Sequence, residues 1–469
     1  MSKILFSGAT ILLFALRLLH WRSEIDAPHD WRQCDTAYYI LDFFQNGIDL
    51  LNPAVCWMGA TDTVALEFPL PEALVAMVWQ LFGESIPLAR FVFLIFFGGA
   101  VFYFYKIVDL LWGKTTAQWA TLVYLSLPLS LFYSRAIHID FFVVAATHCM
   151  FYHYLKGVQQ LAWKHIMWSS LAATLAFLIK APYAYYFVFP MLWYAEKQQA
   201  MLFFLRTGSL YLLAVLPFWL WQEHAHYLNN LSPNLDYIEH YRKLTNNAHW
   251  YFGNLEQRLL PYHWKILLQR GVFDVAGVGG MVFLLLGLRR LKTQRGLLYW
   301  ILGLTVYVLV FFNLNVVHNY YQIPLLAPVA ILCAWGLETT KKPMLFFVLL
   351  VVLNVFYVEK FYYKIAHTHV EIGRVIRENT PDSALVIVTY GNMDCRDPRV
   401  LFRARRRGWS VEEAALKPGV VERLQGEQGA EYWAYVGNQA PAANGLAAPK
   451  IWKLGDEVNL YLFELGAME

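Results

Sequence analysis

His29-Asp30-Trp31-Arg32-Gln33-Cys34-Asp35-Thr36-Ala37-Tyr38-Tyr39 is the stretch from which the rest of the chain can be read. It follows directly on the first apolar run. It sets two carboxylates, an imidazole and a guanidinium among aromatic rings, in a chain where charge is otherwise scarce. Of 469 residues, 58% are apolar, 17% aromatic and only 15% charged. A soluble domain carries roughly a quarter charged residues, so this composition belongs to a membrane protein. A dense polar stretch beside an apolar run is then expected at a membrane surface, where it reads as half of an active site. The formal charge of +4 gives no reason to invoke nucleic acid.

Working outward, residues 4–21 form a first span, and Lys3 before it makes this look like a signal peptide. No small-residue cleavage site precedes Trp21-Arg22, so the expectation is an uncleaved span. Residues 22–87 are too polar to cross. Within them, Asp35–Asn46 has helical apolar spacing, and Leu74–Phe82 is apolar but too short to span, which suits helices lying in the interface. Further spans are expected near 88–110, 116–134, 139–156, 165–180, 182–195, 203–222, 271–288, 297–313, 319–338 and 343–358, about eleven in all. With Lys3 inside, every inner loop holds at least two positive residues, among them Lys106 and Lys114, Arg289 and Arg290, and Lys341 and Lys342. The expected fold class is therefore a polytopic α-helical membrane protein. Its outer segments are 22–87, the turns at 135–139, 180–183 and 313–320, the loop 223–270, and everything after about 359.

Domain 1–358 is thus the membrane part. Residues 359–469 change character: 385–390, 431–436 and 458–463 read as strands with polar helical stretches between, and Ala440–Pro449 as a plain loop. The expectation is a small extracytoplasmic α/β domain. Internal repeats and low-complexity tracts are not evident. The five cysteines lack CxxC spacing, which argues against a structural metal site, and a Cys34–Cys56 disulfide in the outer loop stays open.

Chemistry concentrates in the outer segments. Asp35 could cap the helix that follows it, or serve as a base in the company of His29, Arg32 and Asp42. Asp30 fits a supporting place in the loop. Glu67-Phe68-Pro69-Leu70-Pro71-Glu72 is an extended turn with two carboxylates at headgroup depth, which can shape or charge a cavity. In Ser134–Asp140, Asp140 is either a helix N-terminal acid or a group facing a partner. Arg135, His138, Lys180 and His318 would give an outer cavity a set of cations suited to phosphate. Tyr320 fits an interfacial belt, and His318 beside Tyr321 and Gln322 could touch sugar or phosphate. His224, His226, His240, His249 and His263 lack metal-type spacing. Asp35, Glu67 and Asp140 could hold a hard cation, but the reading adopted needs no cofactor.

At Asp35-Thr36-Ala37-Tyr38-Tyr39, Glu67-Phe68-Pro69-Leu70, Ser134–Asp140, Lys180-Ala181-Pro182 and His318–Pro328, the chain resembles the C-type membrane glycosyltransferases. The likeness is to the bacterial group of protein O-mannosyltransferases and the aminoarabinose transferase of lipid A, and it covers residues 1–358. Thr36 stands where that family has a Glu, and Phe68 where relatives carry a Lys. The resemblance implies transfer of one sugar, with inversion, from a polyprenyl-phosphate carrier to an acceptor hydroxyl on the outer side of a bacterial inner membrane. Asp35 would be the base. Arg135, Lys180 and His318 would hold phosphate, with His29, Arg32, Glu67, His138, Asp140 and Tyr321 completing the binding site. The acceptor would be a glycan lipid, a protein or a polymer. A flippase for a lipid-linked saccharide and a non-catalytic envelope scaffold are the alternatives. A transporter would be expected to show repeated halves.

Overall fold

In the computed structural model, residues 1–60, 63–239, 241, 248–441, 446–454 and 458–466 are described. His240 and the middle of the 440–449 loop lie outside them. The chain divides into two compact units: Met1–Glu24 with Ser85–Gln222 and Asn247–Tyr363, and Ile25–Glu84 with Glu223–Asn246 and Lys364–Glu469. The first outer loop and the C-terminal residues therefore fold as one unit.

The first unit is helical, and each of the eleven apolar segments carries a helix. Ile86–Trp112 starts where the Ser85 hydroxyl accepts from the Leu88 amide, with Pro87 in the first turn, and it stops at Gly113 in the left-handed region (φ 85°). Prolines divide other segments. Residues 116–134 become Lys114–Ser126 and Pro128–Tyr133, because Pro128 cannot donate to the helix preceding it. Residues 182–195 become Pro182–Tyr185 and Val188–Lys197. Among the described residues, four helices are long and apolar enough to cross a membrane: Ile86–Trp112, Met201–Leu231, Asn319–Glu338 and Pro343–Phe361. A fifth crossing would be the pair Pro261–Ala276 and Gly280–Leu291, bent by 94°. These make the chain a multi-pass membrane protein.

The second unit is built on a five-stranded sheet of order β2-β1-β3-β5-β4, where β1 is Leu385–Tyr390, β2 Arg407–Val411, β3 Tyr432–Gly437, β4 Lys450–Leu454 and β5 Val458–Glu464. β1 pairs in parallel with both β2 and β3, while β5 is antiparallel to β3 and β4. Helices Arg399–Ala404 and Val420–Gln428 make the crossovers that parallel pairing requires. Three strands lie where the apolar runs place them, whereas β2 and β4 are additional. In β2, Arg-Gly-Trp-Ser-Val has no apolar run to announce it, yet Trp409 and Val411 are core residues. Leu235 and Ile238, from the second long outer loop, close the same core. The disulfide left open between Cys34 and Cys56 does not form: both are free thiols, and Cys56 Sγ lies 3.8 Å from the Pro398 carbonyl.

Candidate functional site

The helix Asp30–Asn46 cannot begin earlier, because His29 is left-handed (φ 57°). Asp30 sits in its first turn, where an acid suits the positive end of the helix dipole. Asp35 is consequently inside the helix, and the reading of it as the cap is corrected. It is 3% exposed, and its Oδ1 accepts from the Trp57 indole N–H at 3.0 Å. Burial pushes its carboxyl up to about 7, opposed by the Arg32 charge and the Trp57 hydrogen bond. Arg32, one turn earlier, forms an ion pair with Glu67. Glu72, buried at the start of the helix Leu70–Phe82, is pushed up to about 8, again by burial.

The segment leading to Glu67 has no regular structure, so side chains fix it. The Tyr39 hydroxyl donates to the Val64 carbonyl at 2.7 Å and accepts from the Leu66 amide at 3.2 Å. Asn229 grips both sides of the Ala65 peptide, accepting from its N–H at 3.0 Å and donating to its carbonyl at 2.9 Å. Asp30 lies 3.7 Å from both Arg399 and Arg403, and Arg399 is also bonded to Asp397 at 2.6 Å. Burial raises the Asp30 carboxyl, and the two guanidiniums work against it.

A second cluster belongs to the first unit. Asp140 opens the helix Asp140–Gln160 and is completely buried. It accepts from Lys180 Nζ at 2.7 Å and forms an ion pair with His138. A buried carboxylate is tolerable when it is paired in this way. Lys180 also faces three rings, with Nζ 4.1 Å from the centroid of Tyr321, 4.8 Å from Tyr320 and 4.9 Å from Tyr183. His318 stacks on Tyr320 with centroids 4.9 Å apart. Arg135 lies over the Tyr363 ring at 4.4 Å. The backbone of this turn is held by phenols: Tyr183 donates to the Tyr320 carbonyl at 2.8 Å and Tyr307 to the Tyr321 carbonyl at 2.7 Å. Beyond them runs a polar chain in which Tyr133 donates to Asn319, Asn319 to the Tyr362 hydroxyl, and Tyr362 to Asp274.

The anticipated residues thus gather as Arg32, Asp35 and Glu67 in one unit, and His138, Asp140, Lys180, His318 and Tyr321 in the other. His29 stands at the head of its helix. The outer-loop histidines do not converge: His224 is bonded to the Leu51 carbonyl at 2.7 Å and His263 to the Gln257 carbonyl at 2.9 Å. Asn229, Arg399 and Arg403 were missed, because their links to the outer loop span distances in sequence that no local pattern encodes, and so were Asp397, which holds Arg399, and Trp57, which reaches Asp35 from elsewhere in the same loop. Arg17 was missed as well, a buried guanidinium whose Nε donates to Ser134 at 3.2 Å. A lone Arg inside the first apolar run was a signal for it.

Residues 67–221 match the family model of dolichyl-phosphate-mannose-protein mannosyltransferases. ArnT from Cupriavidus metallidurans, bound to undecaprenyl phosphate, aligns with a TM-score of 0.58 at 14% identity, over 97% of this chain and 98% of that one. The chain has the fold of the C-type membrane glycosyltransferases. The oligosaccharyltransferase of Archaeoglobus fulgidus in its apo form aligns with a TM-score of 0.56 at 11% identity, over 92% of this chain and 70% of that one. The archaeal AglB in complex with an inhibitory peptide and a dolichol-phosphate gives 0.55 at 11%, over 92% and 69%. No curated protein matches in sequence. The likeness to the ArnT and protein mannosyltransferase group, read from five short motifs, therefore holds for the C-type fold. The motifs at 67–70, 134–140 and 180–182 fall inside the matched segment.

Proposed function

We propose that the protein is an integral-membrane glycosyltransferase that moves one sugar from a polyprenyl-phosphate carrier to an acceptor hydroxyl on the outer side of a bacterial inner membrane. The fold supports the class. The undecaprenyl phosphate bound to ArnT and the dolichol-phosphate bound to AglB support a lipid-phosphate donor. The observation that carries the reading is Asp35, a carboxyl buried within the helix Asp30–Asn46, hydrogen-bonded by the Trp57 indole and pushed up by burial to about 7. A base whose pKa lies near the working pH combines a useful ionised fraction with a real appetite for a proton.

In this mechanism Asp35 takes the proton of the acceptor hydroxyl. The freed oxygen lone pair attacks the anomeric carbon, the bond from that carbon to the phosphate oxygen breaks, and the electron pair leaves with the phosphate. Attack opposite the leaving group inverts the anomeric centre. Arg135, Lys180 and His318 stabilise the departing phosphate, with Tyr321 against the Lys180 ammonium. Asp140 and His138 fix Lys180, while Arg32 and Glu67 set the charge around Asp35, with His29 at the mouth of its helix. The mechanism needs no divalent cation. An eleven-span topology beginning inside would put the 22–87 loop and the C-terminal residues outside.

The test is mass spectrometry of envelope glycolipids and glycoproteins from cells carrying wild type, Asp35→Asn or no copy. A sugar addition seen with wild type alone is expected. Glycans that are the same in all three would overturn the proposal.

A further inference from the structure

Trp57 makes the side-chain hydrogen bond to Asp35, yet residues 56–59 belong to no helix or strand. The C-terminal sheet fixes them. The Gly408 N–H donates to the Cys56 carbonyl at 2.9 Å, and the Gly59 N–H donates to the Gly408 carbonyl at 2.9 Å. Both peptide bonds thus flank Trp57 and end on one residue of β2. β2 is an edge strand, so its outer backbone groups are available for such pairing. The two glycines are needed. A Cβ at Gly408 would run into the Val386 backbone of the neighbouring β1, and one at Gly59, which is left-handed at φ 65°, would enter the Trp409 indole. The same domain holds the helix that bears Asp35. Arg403 donates to the Ile25 carbonyl at 3.1 Å, lies 3.7 Å from Cys34 Sγ and faces Asp30.

We propose that the C-terminal sheet is the positioning element of the catalytic base: Gly408 on β2 clamps Cys56–Gly59 so that the Trp57 indole N–H stays on Asp35 Oδ1. This rests on the reading of Asp35 as base, and it gives the sheet domain a task in catalysis. An indole N–H donates and cannot accept. It therefore favours the ionised carboxylate and engages Oδ1, leaving Oδ2 to receive the proton. Loss of this bond makes the carboxyl harder to ionise, the direction in which burial already pushes it. A loop-borne donor held by a distant strand ties the base strength of Asp35 to the integrity of the sheet.

The experiment is a pH titration of the full chain in nanodiscs by infrared difference spectroscopy. The protonated Asp35 carbonyl band is assigned by its loss in Asp35→Asn, so neither donor nor acceptor is required. Trp57→Phe should move the midpoint of that band up by about one pH unit, which leaves about tenfold less carboxylate below the midpoint. Gly408→Ala should move it the same way with Trp57 intact. If Gly408→Ala does not fold, hydrogen exchange in wild type decides the point: the Gly59 and Gly408 amides should exchange slowly, and exchange as fast as in exposed loops would overturn the clamp. A midpoint unmoved in Trp57→Phe would also overturn it. Should the midpoint move while Asp35→Asn cells keep wild-type glycans, the clamp stands as structure, and it is the base assignment that fails.

Discussion

At the scale of single residues, the environment of Asp35 fixes a pH response. Burial raises it and Arg32 lowers it, so transfer should gain an acidic limb near pH 7, with activity rising as the proton leaves. Arg32→Met removes the cation that favours the carboxylate and should move that limb to higher pH. Glu67→Gln removes a neighbouring negative charge and should move it lower. Initial rates measured from pH 5 to 9 check both directions. Lys180→Met should cost at least about tenfold in transfer, since on the proposed mechanism it removes a phosphate partner, and it leaves the buried Asp140 with His138 alone. Asp140→Asn should be milder in binding but should loosen Lys180. Both are read by comparing KM for the lipid donor with kcat.

At the scale of elements, two unlike helices carry the outer-loop chemistry. Asp30–Asn46 is buried nearly all round, while Leu70–Phe82 starts with a buried Glu72. The folded-state pKa values of Asp35 and Glu72, about 7 and about 8, lie above their ordinary values. Their contribution to stability is therefore present in full below about pH 4 and is lost as pH rises through 7 to 8. The melting temperature of the detergent-solubilised protein should fall between pH 5 and 9. Glu72→Gln should remove part of that fall, raising the melting temperature at pH 9 more than at pH 5. An equal effect at both pH values would mean that Glu72 is solvated. The sheet shows how element recognition succeeds and fails. β1, Leu-Val-Ile-Val-Thr-Tyr, is apolar on both faces and almost wholly buried, as expected of a parallel-paired central strand whose crossover helices cover the sheet. β2 and β4 are edges, where Gly, Ser and Lys are compatible with pairing, so their sequences carry a weak strand signal. Asp35 stood out in the sequence as a candidate while its place in the helix did not, because a polar first turn, Asp30 to Gln33, hides the true start.

At the scale of the whole molecule, the eleven-span reading makes a further prediction. Single cysteines placed at Lys341 or Lys342, in a chain lacking its own cysteines, should be shielded in intact cells from a membrane-impermeant thiol reagent. One at the exposed Lys417 should be labelled, if the domain after 359 faces outward. Labelling at both positions would refute that topology. The sequence by itself determined that this is a membrane chain of apolar helices with an α/β tail, because burial in lipid demands apolar residues in runs that any window of about 20 residues reveals. It also placed Asp35, Glu67, Asp140 and Lys180 among the functional candidates, since charge in such a chain is costly unless it has work to do. Tertiary structure alone decided that residues 25–84 fold with residues 364–469, that Trp57 donates to Asp35, and that Gly408 bonds the Cys56 and Gly59 backbone on either side of Trp57. Those links join residues far apart in sequence through backbone amides and single side chains. Such bonds depend on where the folded chain brings groups together, and leave no periodicity behind.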